Sequence, residues 1–236
     1  VKNFDNDSYP DILVADTDGD VMIYEIRNDN FAELTWTQKM PVGNTYYLTS
    51  GDFDGNGRQD FFIGGYYTDK LDPNLNFWYF EGFKNVSNNN YTSMGSIMFN
   101  QVASKNAIQA ADLDNDGKDE ILIAKDDDGT VTVYDVTDGR FSFKERLTGI
   151  EFTHYDGFLV GNVMEGDNNA EIIVIGDDNE TIRIYDHTGR RVSTIDDINV
   201  DGSGDVFYTH YDGFACGDRN GNGLDEIYII SDDGIN

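Results

Sequence analysis

Five segments of this chain align with one another, and that internal repeat restricts the fold more than any other feature. They are NFDNDSYPDILVAD from Asn3, DFDGNGRQDFFIGG from Asp52, DLDNDGKDEILIAK from Asp112, NVMEGDNNAEIIVIG from Asn162 and DRNGNGLDEIYIIS from Asp218. Each couples an acidic loop to a short hydrophobic run. The acids that close the loops, Asp11, Asp60, Glu120, Glu171 and Glu226, lie 49, 60, 51 and 55 residues apart. A period of that length suits a four-stranded unit. The third unit shows the strands best: IQAADL enters the loop, EILIAKD leaves it, and VTVYDV and RFSFKERL follow, separated by Asp-Gly turns. The fourth repeats the order with GFLVGNV, EIIVIGD, TIRIYDH and RRVSTID. No stretch carries a helical period, so the expectation is an all-β array with units at about 1–45, 46–104, 105–150, 151–205 and 206–236. The polar run KNVSNNNYTSMG at 84–95 reads as an inserted surface loop, with NxS/T triplets at Asn85 and Asn90 as well as at Asn6 and Asn179.

Charge narrows the function classes. Forty-five acidic residues against 16 basic ones give a formal charge of -29, which repels the phosphates of nucleic acid and an anionic membrane surface. Disorder does not fit a composition that is 39% hydrophobic and 13% aromatic. Cys216 is the single cysteine, so neither an internal disulfide nor a cysteine-built zinc site can form. No apolar run reaches the ~20 residues of a membrane span.

The loops themselves have the chemistry of a hard-cation site. In the second, Asp52, Asp54 and Asn56 place oxygen side chains at alternate positions, Asp60 closes a nine-residue set, and Arg58 offers its backbone carbonyl. Calcium takes about 6 to 8 oxygens, and alternate residues of a tightly turned loop point inward together. The third loop supplies Asp112, Asp114, Asp116, Lys118 (by its carbonyl) and Glu120. The first supplies Asn3, Asp5, Asp7, Tyr9 (carbonyl) and Asp11, and the fifth Asp218, Asn220, Asn222, Leu224 (carbonyl) and Glu226. One extra residue separates Asn162 from Glu171 in the fourth loop, and Met164 stands where an oxygen is needed. That site is expected to be distorted or empty, with Asn162, Glu165, Asp167 and Glu171 as its donors. An EF-hand is excluded by spacing, because its closing Glu is twelfth and lies between helices. Four to five structural Ca2+ ions are therefore expected, and five would bring the formal charge from -29 to about -19.

These loops, GDFDGNGRQDFFIGG most clearly, resemble the FG-GAP or VCBS repeats of integrin alpha-subunit propellers, fungal propeller lectins and secreted bacterial proteins. The resemblance implies a β-propeller of four-stranded blades with calcium loops between first and second strands, in an extracellular or cell-surface protein. It implies a ring of about seven blades, whereas this sequence provides three complete and two partial ones. The expectation is a piece of a longer propeller, its remaining blades supplied by the same or another chain.

The resemblance implies that ligands meet the face opposite the calcium loops or the clefts between blades. Two connections there are nearly identical, EFTHYDGF and VFYTHYDGF, and set His154, Tyr155 and Asp156 in register with His210, Tyr211 and Asp212. An aromatic ring beside a carboxylate and an imidazole suits a sugar, but a repeated motif also arises from repeated packing. Tyr46 and Tyr47 take the equivalent place in the second unit, and packing is the default role for Trp36, Trp78 and Tyr79. The three histidines form no closely spaced pair, and neither GxSxG nor a phosphate loop is present. The sequence thus points to a binding or adhesion module for glycan or protein, without nucleic acid or membrane insertion. The alternative is a catalytic or accessory propeller of a secreted polysaccharide lyase or hydrolase.

Overall fold

In a computed structural model the chain is described at residues 2–28, 31–68, 76–100, 107–125, 129–153, 155–166, 169–176, 181–196 and 213–230. Every regular element among them is a β-strand. Five small sheets follow one another along the chain, each with its strands in sequence order.

The first joins β1 (Asp11–Ala15), β2 (Asp20–Asn28) and β3 (Phe31–Lys39). The second contains β4 (Asn44–Gly51), β5 (Asp60–Thr68), β6 (Asn76–Ser87) and β7 (Asn90–Phe99). The third runs through β8 (Ile108–Ala111), β9 (Glu120–Lys125), β10 (Thr130–Thr137) and β11 (Arg140–Leu147). The fourth is built of β12 (Gly157–Gly161), β13 (Glu171–Ile175), β14 (Ile182–Tyr185) and β15 (Arg191–Ile195), and the fifth of β16 (Gly213–Gly217) and β17 (Glu226–Ile230). The four strands read from sequence in the third and fourth units coincide with β8 to β15. In the last four sheets the acidic loop joins the first strand to the second; in the first sheet it precedes β1.

The chain divides into two compact units, Val1–Gln101 with Asp135–Ser142, and Val102–Tyr134 with Phe143–Asn236. The core of the first gathers Phe4, Val21, Ile23, Phe61, Ile63, Phe83 and Tyr91, with Trp36 packed edge-on against three of these rings at 5.3 to 5.5 Å. Such pairs add about 0.5–1.5 kcal/mol beyond burial. Trp78 meets Tyr47 and Tyr66 in the same manner, so these aromatics pack with one another as the alternation predicts. At Gly65 a Cβ would come within 1.7 Å of the Asn44 carbonyl oxygen, so only glycine lets β4 and β5 run this close. In the second unit Leu159, Ile173, Ile175, Ile182 and Ile184 form the core, and Phe214, Cys216, Ile227 and Ile229 cover it.

One sequence expectation is corrected here. Residues 84–95 are not an inserted surface loop but the turn and flanking ends of the β6–β7 hairpin. Asn85 is fully buried and donates from Nδ2 to the Phe4 carbonyl at 2.8 Å, which leaves it unavailable for a glycan. Asn179 lies outside the described residues.

Candidate metal centres

One hydrogen bond recurs in all five loops. The closing carboxylate accepts the N–H of a residue seven or eight places earlier: Phe4 to Asp11 at 2.8 Å, Phe53 to Asp60 at 3.1 Å, Leu113 to Glu120 at 2.8 Å, Val163 to Glu171 at 2.9 Å and Arg219 to Glu226 at 3.0 Å. That bond folds the loop back onto the start of its strand.

A second pattern recurs in the regular loops. The opening carboxylate accepts backbone N–H groups from the far side of the turn: Asn56 and Gly57 on Asp52, Asp116 and Gly117 on Asp112, and Gly221, Asn222 and Gly223 on Asp218. The fifth-position side chain accepts from the seventh residue, as in Asp7 with Tyr9 at 2.6 Å, Asn56 with Arg58 at 2.8 Å, Asp116 with Lys118 at 2.9 Å and Asn222 with Leu224 at 2.8 Å. To make these turns the fourth position adopts positive φ: Asn6 (62°), Gly55 (72°), Asn115 (59°) and Gly221 (75°). Asn and Gly are the residues that tolerate it. Asn3 opens the first loop differently, donating from Nδ2 to the Asp7 carbonyl at 2.6 Å.

Carboxylate oxygens converge within 4.8 Å at Asp52, Asp54 and Asp60 and again at Asp112, Asp114 and Glu120. Several oxygens in the loops are buried without a hydrogen-bond partner, namely Asn3 Oδ1, Asp11 Oδ1, Asp54 Oδ1 and Asn162 Oδ1. Buried acceptors without donors are costly, and a hard cation is the group that satisfies them. Burial pushes the Asp11 carboxyl up to about 6 and the Asp60 carboxyl up to about 7, against backbone N–H bonds that lower them. The all-oxygen donor set therefore fits a divalent ion. If bound, such an ion would neutralise charge and pin each loop to its strand.

Among its described residues the fourth loop does not show the second pattern. Glu171 accepts from both Val163 and Met164, while Asn162 is tied to the fifth loop, its N–H donating to Asp225 Oδ2 at 2.9 Å and its Nδ2 to the Gly223 carbonyl at 3.1 Å. Glu165 is exposed and falls in none of the convergent groups found among the described residues, and Asp167 lies outside the described residues.

Three features escaped the sequence reading. Lys144 Nζ donates to Asp114 Oδ2 at 2.7 Å and Glu120 Oε1 at 2.9 Å, and Lys84 Nζ approaches Asp54 Oδ2 at 3.5 Å. The Lys144 contact is the main reason the Asp114 carboxyl lies below the ordinary range. A third convergent group, Asp16, Asp18 and Asp20, sits in the β1–β2 turn, where Lys39 pairs with Asp18 and Asp20. The spacing DTDGD was visible, but it reads equally as a tight turn.

On the repeated HYD motif, His154, His210, Tyr211 and Asp212 lie outside the described residues, as does the side chain of Tyr46. Tyr155 is exposed, but Asp156 is 1% exposed. Its carboxylate accepts from Arg183 Nη2 at 2.9 Å and from the Thr153 N–H at 3.0 Å, so it holds the connection to β14.

A chain of small β-sheets, each entered through an oxygen-lined loop, defines a β-repeat protein with metal-site geometry. Residues 3–63 match the family pattern of an FG-GAP-like repeat, so the chain carries that repeat. Among curated proteins none matches the sequence. Solved structures it is similar to include a protein of unknown function from Bacteroides caccae, at 13% identity and TM-score 0.41, covering 84% of this chain and 64% of that one. An exotype rhamnogalacturonan lyase, YesX, is 13% identical with TM-score 0.37 and 78% and 46% coverage. A Bacillus licheniformis rhamnogalacturonan lyase is 15% identical with TM-score 0.37 and 74% and 38% coverage. The chain thus spans less than two thirds of the length of these structures. No helix among the described residues is long and apolar enough to cross a membrane.

Proposed function

We propose that this chain is a calcium-stabilised β-propeller region of a secreted or cell-surface protein, and that it serves as a binding module for a glycan or protein ligand. The observation that carries the calcium reading is the recurring loop, in which backbone N–H groups fix the carboxylates while side-chain oxygens remain buried without donors. Hard oxygen ligands on a turned loop are what calcium selects. The FG-GAP-like repeat supports the propeller and the extracellular setting. A calcium clamp needs the millimolar ion found outside cells, since extracellular sites bind with dissociation constants of about 10⁻⁴ to 10⁻³ M. Ligand is expected on the face away from the loops, where Tyr155 is exposed. A glycan array probed with and without calcium tests this reading, with His210 and Tyr211 substituted in a second round. Calcium-dependent binding that the substitutions weaken supports it. Turnover of an acidic polysaccharide, or binding indifferent to calcium and to both substitutions, overturns it.

Lys144 makes a prediction specific to the third loop. Its ammonium sits on two of the expected ligands and must be displaced before an ion can bind. Lys144→Met should tighten calcium at this loop by about tenfold, because charge competition is removed. Without calcium the same variant should be less stable by about 1–3 kcal/mol, since Glu120, 1% exposed, loses a charged donor. Calorimetric titration and denaturant melts of the two proteins check both signs.

A further inference from the structure

The first loop differs from the others in what surrounds it. Asp5, Asp11 and Glu25 are 4%, 0% and 0% exposed, and Asp11 on β1 faces Glu25 on β2 directly across the ladder. Like charges in that position repel, and burial strengthens the repulsion. Among the described residues Arg27 is the one basic side chain paired with any of the three, with Nη1 at 2.5 Å from Glu25 Oε1. Arg58 reaches only the Asp5 carbonyl, at 3.4 Å. Three buried carboxylates face one guanidinium, which Glu33 also engages at 3.1 Å, so at least two negative charges are left uncompensated.

The hairpin between β6 and β7 closes over these groups. Asn89 donates its N–H to Asp5 Oδ2 at 2.9 Å and its Nδ2 to Glu25 Oε2 at 3.0 Å, and Asn88 Nδ2 donates to Asp7 Oδ2 at 3.2 Å. Even with those donors used, Asn3 Oδ1, Asp11 Oδ1, Asn89 Oδ1 and the Tyr91 hydroxyl are buried without partners. Tyr91 is 6% exposed. Its ring belongs to the apolar cluster that includes Phe4 of the first loop, and burial first, then the nearby Asp11, Asp5, Asp7 and Glu25, raises its phenol above the ordinary range. What remains is a set of oxygen acceptors that exceeds its donors, enclosed by two sheets.

We infer that Glu25, Asn89 and Tyr91 complete the first metal site, so that one calcium ion bound there clamps the first sheet to the β6–β7 hairpin of the second. The inference rests on the calcium reading proposed above. The other loops provide the contrast. Asp60 faces Lys84 in the β5–β6 register, where Phe61 pairs with Phe83, and in the third loop Lys144 stands on Asp114 and Glu120. In the third and fourth sheets the same register sets Asp135 opposite Glu120 and Asp186 opposite Glu171, so what is particular to the first loop is the hairpin that closes over its acids. Ligand charge sets calcium affinity, so Glu25 and the hairpin oxygens should make this site tighter than the loop's own ligands would alone.

The test is a calcium titration of the full chain after chelator treatment, by calorimetry and by terbium emission excited through Tyr91 and its neighbour Trp36, which lie 5.5 Å apart. Glu25→Gln should weaken the site that Asp11→Asn also weakens, by about tenfold, and leave the others unchanged, with Glu25→Asp recovering part of the loss. Tyr91→Phe keeps the ring packed against Trp36 and Phe61 but removes the oxygen, and should weaken the same site by about threefold. If Asp11→Asn weakens one site while Glu25→Gln and Tyr91→Phe leave that site unchanged, the shared site is overturned and the loop acts alone. If the unaltered chain binds no calcium, the calcium reading itself fails.

Discussion

Chelation should take most of the stability out of this fold. An ion that binds only the folded state contributes RT ln(1 + [L]/Kd), about 1.4 kcal/mol per site when free calcium is tenfold above the dissociation constant. Four regular loops together would contribute about 6 kcal/mol, comparable with the whole margin of an ordinary domain, about 5–15 kcal/mol. The formal charge of -29 makes the metal-free chain worse still, because cations such as Lys84 and Lys144 offset only part of the repulsion among its carboxylates. Thermal melts in millimolar calcium and in excess chelator should differ by tens of degrees, and readdition of calcium should restore the higher value. Equal melting temperatures would show that the loops do not clamp the sheets.

The pH dependence should reverse with the ion. In the metal-free fold Asp11 titrates at about 6 and Asp60 at about 7, both raised chiefly by burial, while unfolded aspartate titrates near 3.9. The folded state therefore holds more protons between about pH 4 and 7, and stability should fall as pH rises through that window. Bound calcium keeps both carboxylates ionised, so the loaded protein should instead lose stability as pH falls, when protons displace the ion. Asp186, lowered to about 2 by its Thr188 and Arg190 hydrogen bonds against the opposing effect of burial, acts only below pH 4 and does not blur the contrast. Melts across pH 4 to 8 with and without calcium should give slopes of opposite sign, and slopes of the same sign would count against metal binding.

What the sequence revealed and what it hid follow from the range of each interaction. The loops were legible because their oxygens fall within nine consecutive residues, and their backbone geometry is local, as the bonds on Asp52, Asp112 and Asp218 show. Strands β8 to β15 were legible because alternation of apolar residues is a two-residue signal. Lys144 lies 30 residues from Asp114, and nothing in a single sequence reports that register. The β6–β7 hairpin was misread for a related reason. Its run of Asn and Ser has loop composition, yet Asn85 is buried because tertiary partners, the Phe4 carbonyl and Asp60, take up its polar groups.

Asp156 and Arg183 were equally invisible as a pair, 27 residues apart, and they support the last prediction. Arg183 is 7% and Asp156 2% exposed at the side chain, and they meet at 2.9 Å. Glu151 flanks Arg183 at 3.5 Å and is shared with Arg191 at 3.2 Å, while the Glu151 N–H donates to the Tyr185 hydroxyl at 2.9 Å. The pair therefore ties the 151–156 connection, which enters β12, to β14 of the same sheet. Removing one member of a buried pair strands the other charge and costs about 3–5 kcal/mol, whereas replacing both by apolar residues of similar volume is often neutral. Arg183→Met should therefore destabilise strongly, and Arg183→Met combined with Asp156→Leu should recover much of the loss, as read from denaturant midpoints. Recovery in the double variant would assign Asp156 of the repeated HYD motif to packing. If the double variant instead keeps its stability but loses ligand binding in the array, Asp156 orders the face that Tyr155 presents, and the motif has both roles.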